Sequence, residues 1–365
     1  RPRDARPLGA RLAPPWHDGR ILRRAKPLGL APLARPALSC SSFWREPMDV
    51  AVGPVTLADI EAAAERIKDR VRRTPCLRSR FNRARLHEGE VFLKLECLQV
   101  TGSFKARGAN NAILQLDDAA LKRGVVTASG GNHGLAVAYA GHASKTSTLV
   151  YLPESSPPVK AERLRAWGAQ VVIEGRVWDE ANQAAIERAE RDGLSYIHPF
   201  SDPAVIAGQG TVGREMLEQS PDIDTLVVAI GGGGLISGIA TAAKAIKPEI
   251  TVLGVEPVGA PTLTRSLERD ALVTLPGIET EAGTLAPRRS AEINFQIIRD
   301  TVDDIVLVSD EEMRAAARWL WFEMGLATEL AGAAAVAALQ SGKVTAPPQA
   351  TIGAVVCGTG SDGIA

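Results

Sequence analysis

The chain has 365 residues, and its 42 Lys and Arg balance 42 Asp and Glu, so the formal net charge is zero. An apolar fraction of 45% with 23% charged residues is ordinary for a globular protein, and the length predicts about two domains at roughly 150 residues each. No stretch approaches the roughly 18 to 20 uninterrupted apolar residues of a membrane span, so we expect no membrane partner.

Residues 1–47 differ from the rest of the chain in charge and in proline content. They hold ten Lys/Arg, three Asp/Glu and eight of the 23 prolines, which leaves a balance of +7 here and −7 elsewhere. Because proline removes backbone donors and disfavours helix, we predict a disordered extension, with Met48 as the natural start. An Arg-rich transit peptide and a basic nucleic-acid arm stay open as alternatives. The arginines lack interleaved aromatics, so we expect no nucleic-acid partner.

From Thr56 onwards, predicted helices alternate with short apolar strands. Thr56 caps a helical pattern, TLADIEAAAERIKDRV, and a strand follows at 91–98. Further strands are predicted in the runs VVTAS, STLVYLP, QVVIE, TLVVAI, TVLGVEP (251–257) and ATIGAVVCG (350–358). Strands and helices alternating at this spacing indicate parallel sheets that helices cover on both faces, so the predicted fold class is α/β.

A lysine stands among small residues in the segment TGSFKARG (101–108). Lys105 follows a predicted strand and opens a predicted helix. A desolvated lysine has a lowered pKa and can form a Schiff base. Taken alone, the segment is more typical of a solvated surface lysine.

Two glycine-rich turns each follow a strand at other points of the chain. The turn SGGNHG at 129–134 could hold a carboxylate through small donors, or it could simply cap a helix. Cys357 ends the last strand, where open α/β sheets bind ligands, although a buried cysteine is often a plain small hydrophobe. The five histidines show no convincing metal-ligand spacing, and a GxSxG nucleophile motif is absent.

Four consecutive glycines join the strand TLVVAI to a helix, and they are Gly231, Gly232, Gly233 and Gly234. Such a turn lets the backbone wrap an anion, and the helix N-terminus adds free N–H groups, so the sequence predicts a phosphate site. The GxGxxG pattern fails because Ser237 stands in the third glycine position, and no Gly-Lys-Ser/Thr follows. The alternative is a tight strand-to-helix turn. Beside Lys105, a phosphate site fits pyridoxal 5′-phosphate, which carries an aldehyde and a phosphate.

In this order, the segments resemble the fold-type II pyridoxal-phosphate enzymes, above all the threonine/serine dehydratases (ammonia-lyases), with serine racemase as a relative. The similarity runs from about Val55 to Asp362. It rests on LECLQVTGSFKARGA, SGGNHG, HPFSDPAVIAGQGT (198–211), the four glycines, GVEPVGAPTL (254–263) and CGTGSD. The resemblance implies a two-domain, tryptophan synthase β-like fold, with a large domain at 48–115 and 200–365 and a small domain at 116–199.

The resemblance also assigns roles to individual residues. Lys105 would bind the cofactor covalently and then act as the base at the substrate Cα. The residues implied to bind the cofactor are Phe104, Lys105, Asn132, Gly231, Gly232, Gly233, Gly234, Leu235, Glu329 and Cys357. The residues implied to bind the substrate are Ser129, Gly130, Gly131 and His133. Cys357 would face the pyridine nitrogen, and Asn132 would bond the ring hydroxyl.

The implied activity is β-elimination of L-threonine or L-serine to a 2-oxo acid and ammonia. Dehydration of another β-hydroxy amino acid, such as 3-hydroxyaspartate or phenylserine, is an alternative. Serine racemisation is another, although Gly130 stands where the racemases have a catalytic serine. The alternative outside the enzymes is a non-catalytic phosphate- or nucleotide-binding α/β protein.

The sequence also bears on metal binding, oligomeric state and cellular compartment. Relatives with a divalent cation site have a Glu, which Glu256 matches, and an Asp, where this chain has Thr262, so the metal stays unknown. The resemblance implies a homodimer. The four cysteines have no CxxC spacing, which indicates a reducing, cytoplasmic setting.

Overall fold

The computed structural model describes residues 55–361 and Gly363, so the predicted extension at 1–47 lies outside the described residues. The described strands are β1 (Cys76–Arg78), β2 (Glu90–Lys94), β3 (Val125–Ala128), β4 (Thr148–Leu152), β5 (Gln170–Ile173), β6 (Ser195–Tyr196), β7 (Thr225–Ala229), β8 (Thr251–Pro257), β9 (Asp304–Val308) and β10 (Thr351–Val355). The described helices are α1 (Leu57–Ile67), α2 (Lys105–Ile113), α3 (Asp118–Arg123), α4 (Asn132–Ser144), α5 (Pro158–Ala166), α6 (Trp178–Asp192), α7 (Pro203–Gln219), α8 (Gly234–Ile246), α9 (Thr262–Glu268), α10 (Glu292–Thr301), α11 (Asp310–Met324) and α12 (Leu330–Gln340).

The larger sheet has six strands in the order β1-β2-β10-β7-β8-β9. Its pairs are parallel except for β1 with β2, which are antiparallel. The prediction of parallel sheets is therefore right for five strands and wrong for β1. The connection 79–89 contains no helix to carry the chain back across the sheet, so β1 and β2 pair in opposite directions.

The smaller sheet has four parallel strands in the order β5-β4-β3-β6. Its strands lie within 125–196, whereas those of the larger sheet lie within 76–94 and 225–355. The domain boundaries at 115/116 and 199/200 stay a prediction, and the strands of each sheet fall on the corresponding side of them.

Local sequence explains several of the element bounds. The Thr56 side chain and Asp59 form a reciprocal capping box at the start of α1, as the Thr56 cap predicted. The strand predicted at 91–98 ends at Lys94, because 96–98 forms a 3-10 turn. Strand β8 has the predicted bounds. The α12 helix has small and aliphatic residues around its whole circumference. It is therefore buried from Leu330 to Leu339.

The parallel arrangement brings two predicted motifs to the carboxyl ends of neighbouring strands, and a third follows a strand of the smaller sheet. The glycine loop follows β7, and Cys357 follows β10, which pairs with β7 in parallel. Ser129 follows β3 of the smaller sheet. Ligands of open α/β sheets bind at this edge. Within the described part of the chain, no helix has the length and apolarity that crossing a membrane requires.

Candidate active site

Lys105 is the first residue of α2, and the loop before it lies against the end of β10. Ser103 and Gly358 form an isolated antiparallel bridge. The Phe104 N–H donates to the Cys357 carbonyl oxygen at 3.3 Å, and the Thr359 N–H donates to the Gly102 carbonyl oxygen at 2.8 Å. The backbone therefore places the predicted lysine and the predicted cysteine side by side.

The Lys105 amine lies in a setting that favours its neutral form. Its Nζ donates a hydrogen bond of 2.7 Å to the Pro199 carbonyl oxygen, and it lies 5.0 Å from the centre of the Phe104 ring. Burial lowers the pKa of Lys105 from 10.5 to about 8, and the nearby Cys357 and Glu329 raise it by less than burial lowers it. A neutral amine is the nucleophile that a Schiff base requires.

The glycine loop presents unpaired backbone donors at the start of α8. Gly233 has φ of +94° and forms the N-cap, a conformation that residues with a Cβ rarely adopt. The N–H groups of Gly231 through Leu235 donate to no group among the described residues. A helix N-terminus with free N–H groups and a positive dipole end binds phosphate. The predicted phosphate residues therefore form a cradle that fits this anion.

Residues outside the predicted set hold the glycine loop in place. A Cβ on Gly232 would overlap the Phe200 ring, so only glycine allows these segments to approach. Ser290 Oγ and Asn294 Nδ2 donate to the Gly232 carbonyl oxygen at 2.9 and 2.8 Å. Asn294 Nδ2 also donates to the Phe200 carbonyl oxygen at 3.0 Å. These bonds fix the peptide planes of the loop.

The turn after β3 is joined to the start of α12 by a side-chain hydrogen bond. Asn132 is the first residue of α4, and its Nδ2 donates to Glu329 Oε1 at 2.7 Å. Glu329 is the N-cap residue of α12. At the start of the turn, the Gly131 N–H donates to Ser129 Oγ at 3.3 Å. Two predicted cofactor residues, far apart in sequence, are thus in direct contact.

His133 is buried beside these residues and is neutral. Its Nε2 lies 3.0 Å from the Ile197 carbonyl oxygen, which can only accept, so Nε2 carries the hydrogen. Burial, together with the positive charge of Lys105, lowers the pKa of His133 to about 3. The same two causes give His198 a pKa of about 3. Neither imidazole carries a charge at neutral pH.

Cys357 is buried and protonated. Its Sγ donates to the Ala331 carbonyl oxygen at 3.3 Å. Burial raises the pKa of the thiol, and the negative charge of Glu329 raises it further. Cys357 is therefore a neutral group at the end of β10.

The structure brings Lys105, Phe104, Asn132, Glu329 and Cys357 into one cluster, and the segment 197–200 connects this cluster to the glycine loop. Sequence reasoning assigned no role to Pro199, Phe200, Ser290 or Asn294. Pro199 and Phe200 stand in the quoted motif HPFSDPAVIAGQGT, which was a signal for them. Ser290 and Asn294 lie in no recognisable motif.

Comparison with known proteins agrees with the amine and the free backbone N–H groups found at this site. The sequence profile of the family described as "Pyridoxal-phosphate dependent enzyme" matches residues 67–358. The chain belongs to this family. Its cofactor is pyridoxal 5′-phosphate, and its fold is the α/β fold of the fold-type II enzymes. A half-buried amine and a cradle of free N–H groups match the aldehyde and the phosphate of this cofactor.

Similar proteins include enzymes that act on hydroxy amino acids. The chain is 41% identical over 285 residues to an L-threonine ammonia-lyase of Thermotoga maritima, covering 78% of this chain and 71% of that protein. It is 42% identical over 292 residues to an L-threonine ammonia-lyase of Geobacter sulfurreducens, covering 80% and 72%. Among solved structures, maize serine racemase superposes with a TM-score of 0.80 at 36% identity, covering 83% of this chain and 93% of that chain. Processed threonine deaminase isoform 2 of Solanum lycopersicum gives a TM-score of 0.78 at 36% identity, with 83% of both chains covered.

Glu256, the residue that matches one ligand of a cation site, is engaged in a helix start. Its carboxylate accepts from the N–H groups of Leu263 and Thr264 at 2.8 and 2.9 Å, and from the Thr264 hydroxyl at 2.6 Å. Thr262 donates its hydroxyl to the Pro287 carbonyl oxygen at 2.7 Å. No cluster of three or more His, Cys, Asp or Glu that could hold a metal occurs among the described residues.

Proposed function

We propose that this enzyme deaminates L-threonine or L-serine by β-elimination, giving a 2-oxo acid and ammonia. The observation that carries the proposal is the Lys105 amine, which has a lowered pKa and lies beside Cys357 and Glu329 at the strand ends. The activity of the L-threonine ammonia-lyases, to which the chain is 41 to 42% identical, supports the same reaction.

The cofactor supplies an aldehyde that binds an amine and a ring that withdraws electrons from the substrate Cα. Lys105 is the residue proposed to hold the aldehyde and later to take the proton from Cα at its Nζ. With a pKa of about 8, its amine can accept and release a proton near neutral pH. The Pro199 carbonyl accepts from Nζ and so fixes where the amine stands.

The remaining predicted residues are proposed to hold the two anionic groups and the ring. The N–H groups of the glycine loop bind the phosphate. Ser129 and the backbone of Gly130 and Gly131 bind the substrate carboxylate. Asn132 bonds the ring hydroxyl, and its amide is oriented by Glu329. Leu235 contributes its backbone N–H to the phosphate cradle.

Cys357 is proposed to face the pyridine nitrogen with Phe104 packed by the ring. Because the thiol is neutral, it does not hold a proton on the ring nitrogen as a carboxylate would. Beside a neutral Cys357, the cofactor ring would be a weaker electron acceptor, which would favour prompt loss of the β-hydroxyl over reactions that need a long-lived carbanion.

A racemase-like activity is the second candidate, because maize serine racemase is among the most similar structures. Gly130 has no side-chain acid to return a proton to the opposite face of Cα. A Cβ at Gly130 would lie 3.0 Å from Leu152 Cδ2 and 3.2 Å from Lys160 Cδ, so a serine there needs a shift of these side chains. We expect D-serine to be at most a minor product of L-serine.

The proposal is tested by the visible absorption of the purified enzyme and by a 2-oxo-acid assay across β-hydroxy amino acids. Wild-type enzyme should absorb visible light through its lysine-bound cofactor, and Lys105→Ala should lose both this band and the activity. Lys122→Ala, which changes a lysine outside the cluster, is the control. A colourless protein purified with the cofactor supplied, or full activity in Lys105→Ala, would contradict the proposal.

A homodimer in the cytoplasm is the proposed state of the enzyme. Trp321 and Phe322 on α11 are 53% and 68% exposed, so two neighbouring aromatic side chains face solvent on the free subunit. Cys76, Cys97 and Cys357 are free thiols, in keeping with a reducing compartment. Subcellular fractionation tests the compartment, and enzyme in an organelle fraction would contradict it.

A further inference from the structure

A second segment of the chain, residues 280–290, reaches the site between the glycine loop and the turn after β3. Within it, Thr284 lies in a 3-10 turn, Gly283–Leu285. The Thr284 carbonyl oxygen lies 2.9 Å from the position that a Cβ would take on Gly231. The Thr284 methyl carbon, Cγ2, lies 3.8 Å from the position that a Cβ would take on Gly131. Thr284 thus lies close to both loops.

Hydrogen bonds and core packing hold the turn that carries Thr284 in place. The Thr280 hydroxyl donates to Asp310, the first residue of α11, at 2.5 Å. The Leu285 N–H donates to the Ala282 carbonyl oxygen at 2.8 Å, and both of these side chains are buried in the large core. A side chain on a fixed turn can discriminate between ligands, because its position is set before the ligand binds.

The Thr284 side chain has an unused hydroxyl at this position. The residue is exposed, and its Oγ1 makes no hydrogen bond with any described residue. Other hydroxyls of the same segment are paired: Thr280 with Asp310, and Ser290 with the Gly232 carbonyl. Thr284 therefore has a donor and an acceptor that no described residue uses.

The chemistry of the two loops indicates what lies there. If the proposed function holds, the phosphate lies at Gly231–Gly234 and the amino-acid carboxylate lies at the Ser129 turn. In pyridoxal phosphate, the aldehyde and the phosphate-bearing carbon are attached to neighbouring ring atoms. The side chain of an amino acid held at the aldehyde then lies between the two anionic groups, where Thr284 is placed.

We propose that Thr284 determines substrate specificity by hydrogen-bonding the β-hydroxyl group of the amino acid. This inference rests on the proposed function and adds to it the residue that selects a β-hydroxy amino acid. A site built to bond a hydroxyl discriminates strongly against analogues that lack it, because its own polar group is then left unpaired.

The test uses Lys105→Ala enzyme loaded with cofactor, which binds amino acids but cannot take the Cα proton. Dissociation constants for L-serine and L-alanine are measured from the change in the cofactor spectrum, because these ligands differ only in the β-hydroxyl. Adding Thr284→Val, which removes the hydroxyl at nearly constant volume, should weaken L-serine binding about tenfold and leave L-alanine binding unchanged. Adding Thr284→Ser should restore the preference for L-serine.

Two controls separate this inference from folding and from the proposed function. Thr274→Val makes the same change at an exposed threonine of the preceding loop, where Oγ1 accepts from Arg289, and should leave both constants unchanged. In the enzyme that retains Lys105, Thr284→Val should lower kcat/KM for L-serine and L-threonine about tenfold at an unchanged melting temperature. Equal weakening of L-serine and L-alanine, or no change for either, would overturn the role of Thr284 alone. Failure of the Lys105→Ala enzyme to bind any amino acid in the presence of cofactor would instead reject both the proposed function and this inference.

Discussion

At the scale of single residues, Lys105 shows how burial prepares a side chain for reaction. With a pKa near 8 instead of 10.5, about a tenth of the amine is neutral at pH 7, roughly 300-fold more than for an unperturbed lysine. The rate of cofactor uptake by the cofactor-free enzyme should therefore rise with pH and level off above about pH 8. Stopped-flow absorbance measures this rate.

A substitution at Glu329 tests the same pH dependence of cofactor uptake. Its charge raises the Lys105 pKa, so Glu329→Gln should move the midpoint of the profile to lower pH. Since the amide keeps an oxygen that accepts from Asn132, the local geometry is preserved. A rate of uptake that does not change with pH between about 6 and 9 would contradict the lowered pKa.

Cys357 supplies a second prediction at this scale. Cys357→Asp places a carboxylate where a neutral thiol stands, so a proton on the ring nitrogen becomes favourable. We expect stronger long-wavelength absorbance with substrate and more side products per 2-oxo acid formed, as followed by spectroscopy and product analysis. Cys357→Ser, which keeps a small neutral group, should resemble the wild type. An unchanged spectrum and product ratio in Cys357→Asp would count against the role of the thiol.

At the scale of elements, a buried ion cluster joins α2 to β2 and α7. Arg107 lies two residues after Lys105 and is fully buried, and its guanidinium donates to Glu96 and Glu215 at 2.8 to 2.9 Å. Lys94 donates to the same Glu215 at 2.7 Å, but it lies on β2 and not on α2. The cluster joins the first turn of α2 to β2 and α7, so we expect it to position Lys105.

Comparing variants of Arg107 and Lys94 separates the effect on the position of Lys105 from the effect on the stability of the fold. Arg107→Met leaves the buried Glu96 without a cation, so it should lower the free energy of unfolding by about 3–5 kcal/mol. Lys94→Met should lower it less, because Glu215 still pairs with Arg107. Only Arg107→Met should also lower kcat and alter the cofactor absorbance, because only Arg107 is part of α2. Urea unfolding, steady-state kinetics and absorption spectra measure these effects. Equal losses of kcat in both variants would show that the cluster has a structural role alone.

The start of α9 gives the prediction on metal ions. Three hydrogen bonds to Glu256 cap this helix, and Thr262 replaces the second carboxylate. Chelation with EDTA should therefore leave kcat and the melting temperature unchanged. Glu256→Gln should lower stability by about 1–2 kcal/mol through weaker capping, with no new metal dependence. Activity that EDTA abolishes and Mg²⁺ or Mn²⁺ restores would contradict this expectation.

At the scale of the whole molecule, the exposed aromatic surface of α11 is the region that we expect at a subunit interface. The Arg83 guanidinium lies 4.6 Å from the Phe322 ring centre and 3.3 Å from Glu323, so aromatic groups and both signs of charge are close together. Such a surface can pair with its own copy across a twofold axis. Phe322→Glu should shift the enzyme towards monomer in light scattering, whereas Val258→Glu at a 55% exposed position should not. A monomeric wild type would contradict the homodimer.

The sequence by itself determined the α/β fold, the cofactor and the motifs that form the site. It could do so because these depend on local patterns: short apolar strands, glycine turns at strand ends, and a lysine among small residues. The strand-end motifs also pointed to Asn132 and Cys357, whereas Glu329 was predicted only through the resemblance.

The tertiary structure decided what these residues contact. Pro199 bonds Lys105, Asn294 holds the glycine loop, and Thr284 stands between two loops that are about 100 residues apart in sequence. The pKa of Lys105 was also decided there, because burial depends on packing between segments that are distant in the chain. The antiparallel β1 was missed for the same reason, since strand pairing is a contact between segments and no single segment encodes it.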